Sequence, residues 1–318
     1  MKAILIINPK SGNTKIKISP LLKWTFKKLE NTAKEVSSPK PTIAEIIEEV
    51  RKSCNKENMK LDIEFTKHPK HAIELAQGAR KKYDMVIVAG GDGTVNEVIN
   101  GIIGSKITLA VIPYGSTNVL ALELGIPFNV KEASELITHG KRVKIDLGYA
   151  KTNEEARYFT MMVDVGFVPK LIEGVNLEVK KRLGNFAYLL SGIKQLLTYK
   201  WHNIHVEHKF HSVDYFVIVS NSKDYAGEYQ IAHKASTTDG LLDLVVISRK
   251  SWWKIIKFIF LLSIGKSNSF LKEEYYKIKE AHIYSKHKML VQADGELIGA
   301  APVDVKVVPK ALTVMVKR

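Results

Sequence analysis

The chain opens with five consecutive apolar residues, Ala3–Ile7, that stop at Asn8-Pro9-Lys10-Ser11-Gly12. An apolar run without alternation predicts a strand covered on both faces, as in a parallel sheet. Met85–Ala89 and Ile107–Ile112 repeat the pattern. Each runs into a turn, Gly90-Gly91-Asp92-Gly93-Thr94 and Pro113-Tyr114-Gly115-Ser116. Leu61–Phe65 is a further candidate strand. Ile43, Ile46, Ile47 and Val50, then residues 71–82, then Val95, Val98, Ile99 and Ile102 have helical spacing. Strands alternating with helices predict an open α/β layer whose ligand site lies beyond the carboxyl ends of the strands.

The texture changes near Val143–Gly148. Phe159–Val165, Ile204–Glu207, Tyr215–Ser220, Leu241–Ile247, Ala281–Tyr284, Met289–Gln292, Val303–Val308 and Leu312–Val316 are short and rich in β-branched or aromatic residues. They predict a β-rich, antiparallel sandwich, interrupted by helices at Leu183–Tyr199 and Trp252–Ser263. The expected organisation is an α/β domain over 1–145 and a β-rich domain over 146–318, with the last few residues returning to the first.

The loop Gly90–Thr94 carries the chemistry. Glycines let backbone approach a ligand closely, and successive free N–H groups at a helix start form an anion site suited to phosphate. Thr94 can cap the helix or bond a phosphate oxygen. A carboxylate at Asp92 would repel phosphate unless Mg²⁺ lies between, or unless Asp92 takes a proton from an attacking hydroxyl. A dinucleotide fingerprint is excluded because Asn96 stands where its third glycine belongs. A P-loop is excluded because Gly265-Lys266-Ser267 has Phe260 where a glycine is required.

Composition narrows the setting. Lys and Arg number 48 against 33 Asp and Glu, a formal charge of +15. One cysteine, Cys54, excludes a disulfide framework or a multi-cysteine metal site. The start is too short in apolar residues for a secretory signal, and Trp252–Gly265 is too short and too lysine-interrupted to span a bilayer. A cytoplasmic protein is expected. His202, His205, His208 and His211 invite a metal reading, but an extended segment points His205 and His208 to opposite faces. Trp252–Phe258 could be an interfacial helix, and the continuing apolar run Phe260–Ile264 favours a core helix instead. Neither a recognition helix nor an aromatic RNA-binding motif accompanies the charge, so no nucleic-acid partner is expected.

At these residues the chain resembles the diacylglycerol kinase catalytic-domain family, which includes bacterial soluble lipid kinases and sphingosine kinases. Asn8–Gly12 resembles its N-terminal loop, Gly90–Glu97 (GGDGTVNE) its signature, and Pro113–Ala121 (PYGSTNVLA) its second nucleotide loop. Asp146-Leu147-Gly148, Asn221, Gly227, Ser236–Asp243 and Asp294-Gly295-Glu296 follow in the family's order. Val119 stands where many diacylglycerol kinases carry an aspartate, and the Gly-Ser-x-Asn form is nearer to sphingosine-kinase-like members.

The resemblance implies ATP- and Mg²⁺-dependent phosphorylation of a lipid hydroxyl in an interdomain cleft. It implies that Asn8, Pro9, Lys10, Ser11, Gly12, Thr66, Gly91, Asp92, Gly93, Thr94, Val95, Asn96, Glu97 and Ser116 line the ATP site. Glu296 or Asp92 would be the base, and Asp146 would support from the junction. Ser236, Asp239 and Leu241 would hold a structural Mg²⁺, partly through backbone carbonyls. An NAD-kinase-like soluble kinase shares GGDGT, and a non-catalytic nucleotide- or lipid-binding relative would keep the same loops. Residues 13–42 look like a basic insertion, and residues 1–40 hold nine Lys and two Glu. Such a stretch would favour an anionic membrane surface by about 1 kcal/mol per lysine, and a peripheral membrane association is expected.

Overall fold

The computed structural model describes residues 1–11, 41–166, 169, 202–207, 211–225, 229–248 and 275–318. The expected helices Leu183–Tyr199 and Trp252–Ser263, His208, and nearly all of the basic stretch 13–42 lie outside them.

The first half alternates as its pattern predicts: β1 (Lys2–Ile7), α1 (Ile43–Lys56), β2 (Lys60–Phe65), α2 (His71–Ala79), β3 (Met85–Gly90), α3 (Asp92–Ile102), β4 (Thr108–Pro113), α4 (Val119–Glu123) and α5 (Val130–His139). The strands pair in parallel in the order β2-β1-β3-β4. All six residues of β3 and of β4 are buried, which is why their sequences are apolar runs. β2 is an edge strand, exposed at alternate positions, and its sequence is correspondingly mixed. Cys54 is buried on α1, and desolvation pushes its thiol up to about 11.

The second half is antiparallel among the described residues. It comprises β5 (Lys141–Lys151), β6 (Ala156–Phe159), β7 (Met162–Val165), β8 (Ile204–Glu207), β9 (His211–Ser220), β10 (Asp224–Tyr225), β11 (Tyr229–Gln230), β12 (Leu242–Ser248), β13 (Tyr275–Ile278), β14 (Glu280–Tyr284), β15 (Leu290–Ala293), β16 (Glu296–Ala300) and β17 (Val303–Val316). The described residues form two cores. One packs β1, β3 and β4 with α1, α2 and α3, and the other gathers Phe159, Val163, Val217, Leu244, Ile283, Val291 and their neighbours.

Two strand expectations differ from the structure. Phe159–Val165 reads as one strand but is broken at Thr160–Met161, because Asp294 captures the N–H groups of Thr160, Met161 and Met162. Val303–Val308 and Leu312–Val316 read as two strands but form one. β17 runs antiparallel to β5 throughout and shifts register between Val308 and Leu312, where Lys310 has φ +51°. Its first part pairs with β14, and its last part pairs in parallel with β4 through Thr313↔Thr108. The two lobes therefore share one continuous sheet through β17.

Candidate active site

Parallel register brings four strand ends level. Ile7 pairs with both Phe65 and Ala89, and Gly90 pairs with Pro113. The ladder continues into the loops: Asn8 N donates to Ala89 O (3.0 Å), Thr66 N to Ile7 O (2.9 Å), and Tyr114 N to Gly90 O (3.1 Å). Asn8, Thr66, the Gly90–Thr94 loop and Gly115-Ser116 thus meet at one edge, although up to 108 positions separate Asn8 from Ser116 in the chain.

Short polar links tie these loops together. Asn8 Nδ2 donates to Thr94 Oγ1 (2.8 Å), and Asn8 Oδ1 accepts from Lys10 N (3.0 Å). Gly91 N approaches Ser11 Oγ at 3.4 Å. Gly115 packs directly on Gly91: a Cβ on Gly115 would lie 2.5 Å from Gly91 Cα and 2.7 Å from Asn118 Oδ1. Both neighbours are held in place, so Gly115→Ala must part the loops. A loss of about 1–3 kcal/mol of stability is expected in urea denaturation. An unchanged midpoint would refute the close packing.

Asp92 is the first residue of α3, and both its oxygens reach the second loop. Oδ1 accepts from Val119 N (2.6 Å) and Oδ2 from Thr117 Oγ1 (2.7 Å). The carboxylate therefore staples loop 113–119 to loop 90–94, and each oxygen keeps a further lone pair. Val119 itself is buried. Lys10 and Ser116 are exposed, and Gly91, Asp92 and Gly93 are half-buried. Gly12 lies outside the described residues.

Val95, Asn96 and Glu97 of the sequence-derived set do other work. The Val95 side chain lies in the core. Glu97 accepts from Lys70 N (3.1 Å) and Ala72 N (3.2 Å), capping α2, whose own N-cap, Lys70, makes no side-chain cap bond. Asn96 is a buried junction: its Nδ2 donates to Tyr158 O (3.1 Å) and Asp294 Oδ2 (2.8 Å), and its Oδ1 accepts from Arg157 Nε (2.9 Å). Asn100, one turn on, exchanges two bonds of 2.9 Å with the backbone of Tyr158. Strand β6 of the second lobe is docked on α3 by these two amides.

Glu296 comes to the same place from the far end of the chain. Its Oε1 lies 3.5 Å from where a Cβ on Gly93 would stand, and its Oε2 is paired with Arg157 Nη1. Arg157 is buried on β6, whereas the Glu296 side chain is 41% exposed. The Asp294-Gly295 turn that presents Glu296 has φ +48° and +85°, the two positive values a tight hairpin needs. Asp294 accepts five hydrogen bonds, from Asn96 Nδ2, Thr160 N, Thr160 Oγ1, Met161 N and Met162 N, at 2.8–3.0 Å. Burial holds its carboxyl above the ordinary carboxylate range, and the backbone N–H groups of residues 160–162 and the Thr160 hydroxyl work against that rise. Nothing in the local sequence marks Arg157. Asn96 and Asn100 show the i, i+4 spacing of one helix face, but no pattern names their partners.

Asp146 is elsewhere in contact terms. Its Oδ2 accepts from Gly240 N (2.6 Å) and its Oδ1 from Lys310 N (2.7 Å), while its carbonyl accepts from Asn221 Nδ2 (3.0 Å). It ties β5 to the β17 irregularity and to the turn that contains Ser236, Asp239 and Leu241. Asp239 Oδ2 lies 2.7 Å from Lys277 Nζ. Of the histidines, His205 stacks on Tyr284 and His202 on His287.

Comparison with known proteins agrees in both halves. Residues 34–150 match the family described as Diacylglycerol kinase catalytic domain, and residues 162–316 that described as YegS C-terminal NAD kinase beta sandwich-like domain. The diacylglycerol kinase of Bacillus subtilis (strain 168) is 28% identical over 232 residues, 71% of this chain and 75% of its own length. That of Staphylococcus carnosus (strain TM300) is 29% identical over 235 residues, 72% of this chain and 76% of its own. The crystal structure of a diacylglycerol kinase from Bacillus anthracis str. Sterne shares the fold, with a TM-score of 0.72 at 24% identity, over 99% of this chain and 97% of that one.

Proposed function

The chain belongs to the diacylglycerol kinase catalytic-domain family and is a lipid kinase, and from that premise we propose that it transfers the γ-phosphoryl group of ATP to the hydroxyl of a diacylglycerol, a sphingoid base or a related lipid. The observation that carries this reading is the position of Glu296 Oε1 over Gly93, at the start of α3. Phosphoryl transfer needs in-line positioning, charge neutralisation and an acceptor for the hydroxyl proton. The free N–H groups at the α3 N-terminus supply the anion site.

In this reading Glu296 is the general base. Its Oε2 is held by Arg157, which makes Arg157 a positioning residue, and its Oε1 faces the loop where the nucleotide would lie. As the lipid oxygen bonds to the γ-phosphorus, its proton passes to Glu296. The bond from that phosphorus to the bridging oxygen breaks, and ADP leaves with the electron pair. Asp92 keeps the two loops in order through Thr117 and Val119. Its remaining lone pairs suit Mg²⁺, a hard cation that takes oxygen ligands and would offset phosphate charge when bound. Among the described residues no helix is long and apolar enough to cross a membrane. The basic stretch 13–42 is the feature offered for contact with an anionic membrane surface that carries the lipid.

The test is an assay of purified protein with Mg-ATP against diacylglycerol, monoacylglycerol, ceramide and a sphingoid base, with products read by mass spectrometry. One phosphorylated lipid is expected from the wild type and none from Asp92→Ala. Phosphorylation of NAD in preference to every lipid would overturn the reading.

A further inference from the structure

The three residues that the family resemblance offers for a structural Mg²⁺ sit in surroundings that suit a different cation. Ser236 Oγ lies 3.2 Å from Thr238 Oγ1 and accepts from Thr238 N at 3.4 Å, so it is engaged within its own turn. Asp239 Oδ1 accepts the N–H of Leu241 (3.0 Å). Its Oδ2 faces the ammonium of Lys277 at 2.7 Å. The same ammonium lies 2.9 Å from Asp243 Oδ2 and 2.8 Å from the carbonyl oxygen of Lys234.

An ammonium has three protons to give, and here three oxygens stand at hydrogen-bond distance, two from carboxylates and one from backbone. That is the kind of oxygen set that holds a hard cation. It is filled by a side chain. The placement follows from strand register, because Lys277 on β13 is the direct cross-strand partner of Asp243 on β12. Tyr275, two residues earlier on the same face, donates to the other oxygen of Asp243 and accepts from Lys234 N (3.1 Å). Asp243 is fully buried, so its charge has to be met inside the protein. A divalent ion drawn to Asp239 would stand close to the Lys277 ammonium, and the backbone carbonyls of Ser236 and Leu241 would bring it no further negative charge. The donor set therefore fits Mg²⁺ poorly.

We propose that Lys277 is a built-in cation that fastens the 234–241 turn where a divalent ion would otherwise be needed. The turn matters beyond itself, because Gly240 N is one of the two backbone donors to Asp146 at the crossing of β5 and β17. Mg²⁺ dependence then enters with the nucleotide and not with the fold of the β-rich lobe.

Thermal melts of the full-length, nucleotide-free protein test this without any variant. Curves in EDTA and in millimolar Mg²⁺ are expected to superimpose. A melting temperature that falls in EDTA and recovers with Mg²⁺ would overturn the proposal. Lys277→Ala is expected to melt roughly 10 °C lower, since it leaves Asp243 buried without its cation. That variant is also expected to gain an increase in melting temperature with Mg²⁺, and the gain should vanish when Asp239→Asn is added. A Lys277→Ala protein that melts with the wild type would equally overturn it.

Discussion

Glu296→Gln is expected to lower kcat for lipid phosphorylation by about 10²–10⁴-fold while leaving ATP affinity unchanged. The substitution keeps the volume of the side chain. Its amide oxygen can still accept from Arg157, so the β16 end stays where it is. What is lost is the capacity to take a proton at the oxygen facing Gly93. Asp92 responds differently, because both its oxygens already accept protein hydrogens. Asp92→Ala leaves Val119 N and Thr117 Oγ1 without their shared acceptor, which loosens the two loops, so nucleotide affinity falls together with turnover. Arg157→Ala should reduce kcat by less than Glu296→Gln and add little on top of it, since it acts through the same carboxylate. A Glu296→Gln enzyme with wild-type kcat, or one that loses only ATP affinity, would remove Glu296 from the role of base.

Asp294→Ala is expected to cost about 3–5 kcal/mol of stability, read as a lower urea midpoint at unchanged slope. Five donors converge on this carboxylate, three of them backbone N–H groups of residues 160–162. Thr160 and Met162 are buried and Met161 is half-buried, so without Asp294 at least two N–H groups lose their acceptor away from water, at about 1–3 kcal/mol each. Total stabilities are typically about 5–15 kcal/mol, so the loss is a large fraction. The same change frees the turn that presents Glu296, so activity is expected to fall even where the protein remains folded. A loss below about 1 kcal/mol would mean that the 160–162 turn is held by something other than this carboxylate.

The elements that were legible are those whose cause is local. β1, β3 and β4 are apolar runs because both faces are covered. The glycine loops follow them because backbone must pass close to backbone, as Gly115 does to Gly91. The Asp294-Gly295 hairpin was readable from its dipeptide. β6 and β7 read as one strand in the sequence because the break is imposed by a residue more than 130 positions away. The β17 irregularity reads as a gap in the sequence, since a register shift near a positive-φ lysine resembles a turn in one dimension.

Seen as a whole, the sequence by itself determined a parallel α/β layer with phosphate-type loops at its strand ends, followed by an antiparallel lobe, because hydrophobic period and turn chemistry act over a few neighbouring residues. Tertiary structure alone decided that Arg157 holds Glu296, that Asn96 meets Asp294 across 198 positions, and that Lys277 rather than Ser236 completes the surroundings of Asp239. The reason is physical. A buried charge must be matched by whatever the fold brings within about 3 Å, and that partner is chosen by strand register and lobe docking, which leave no mark in local spacing.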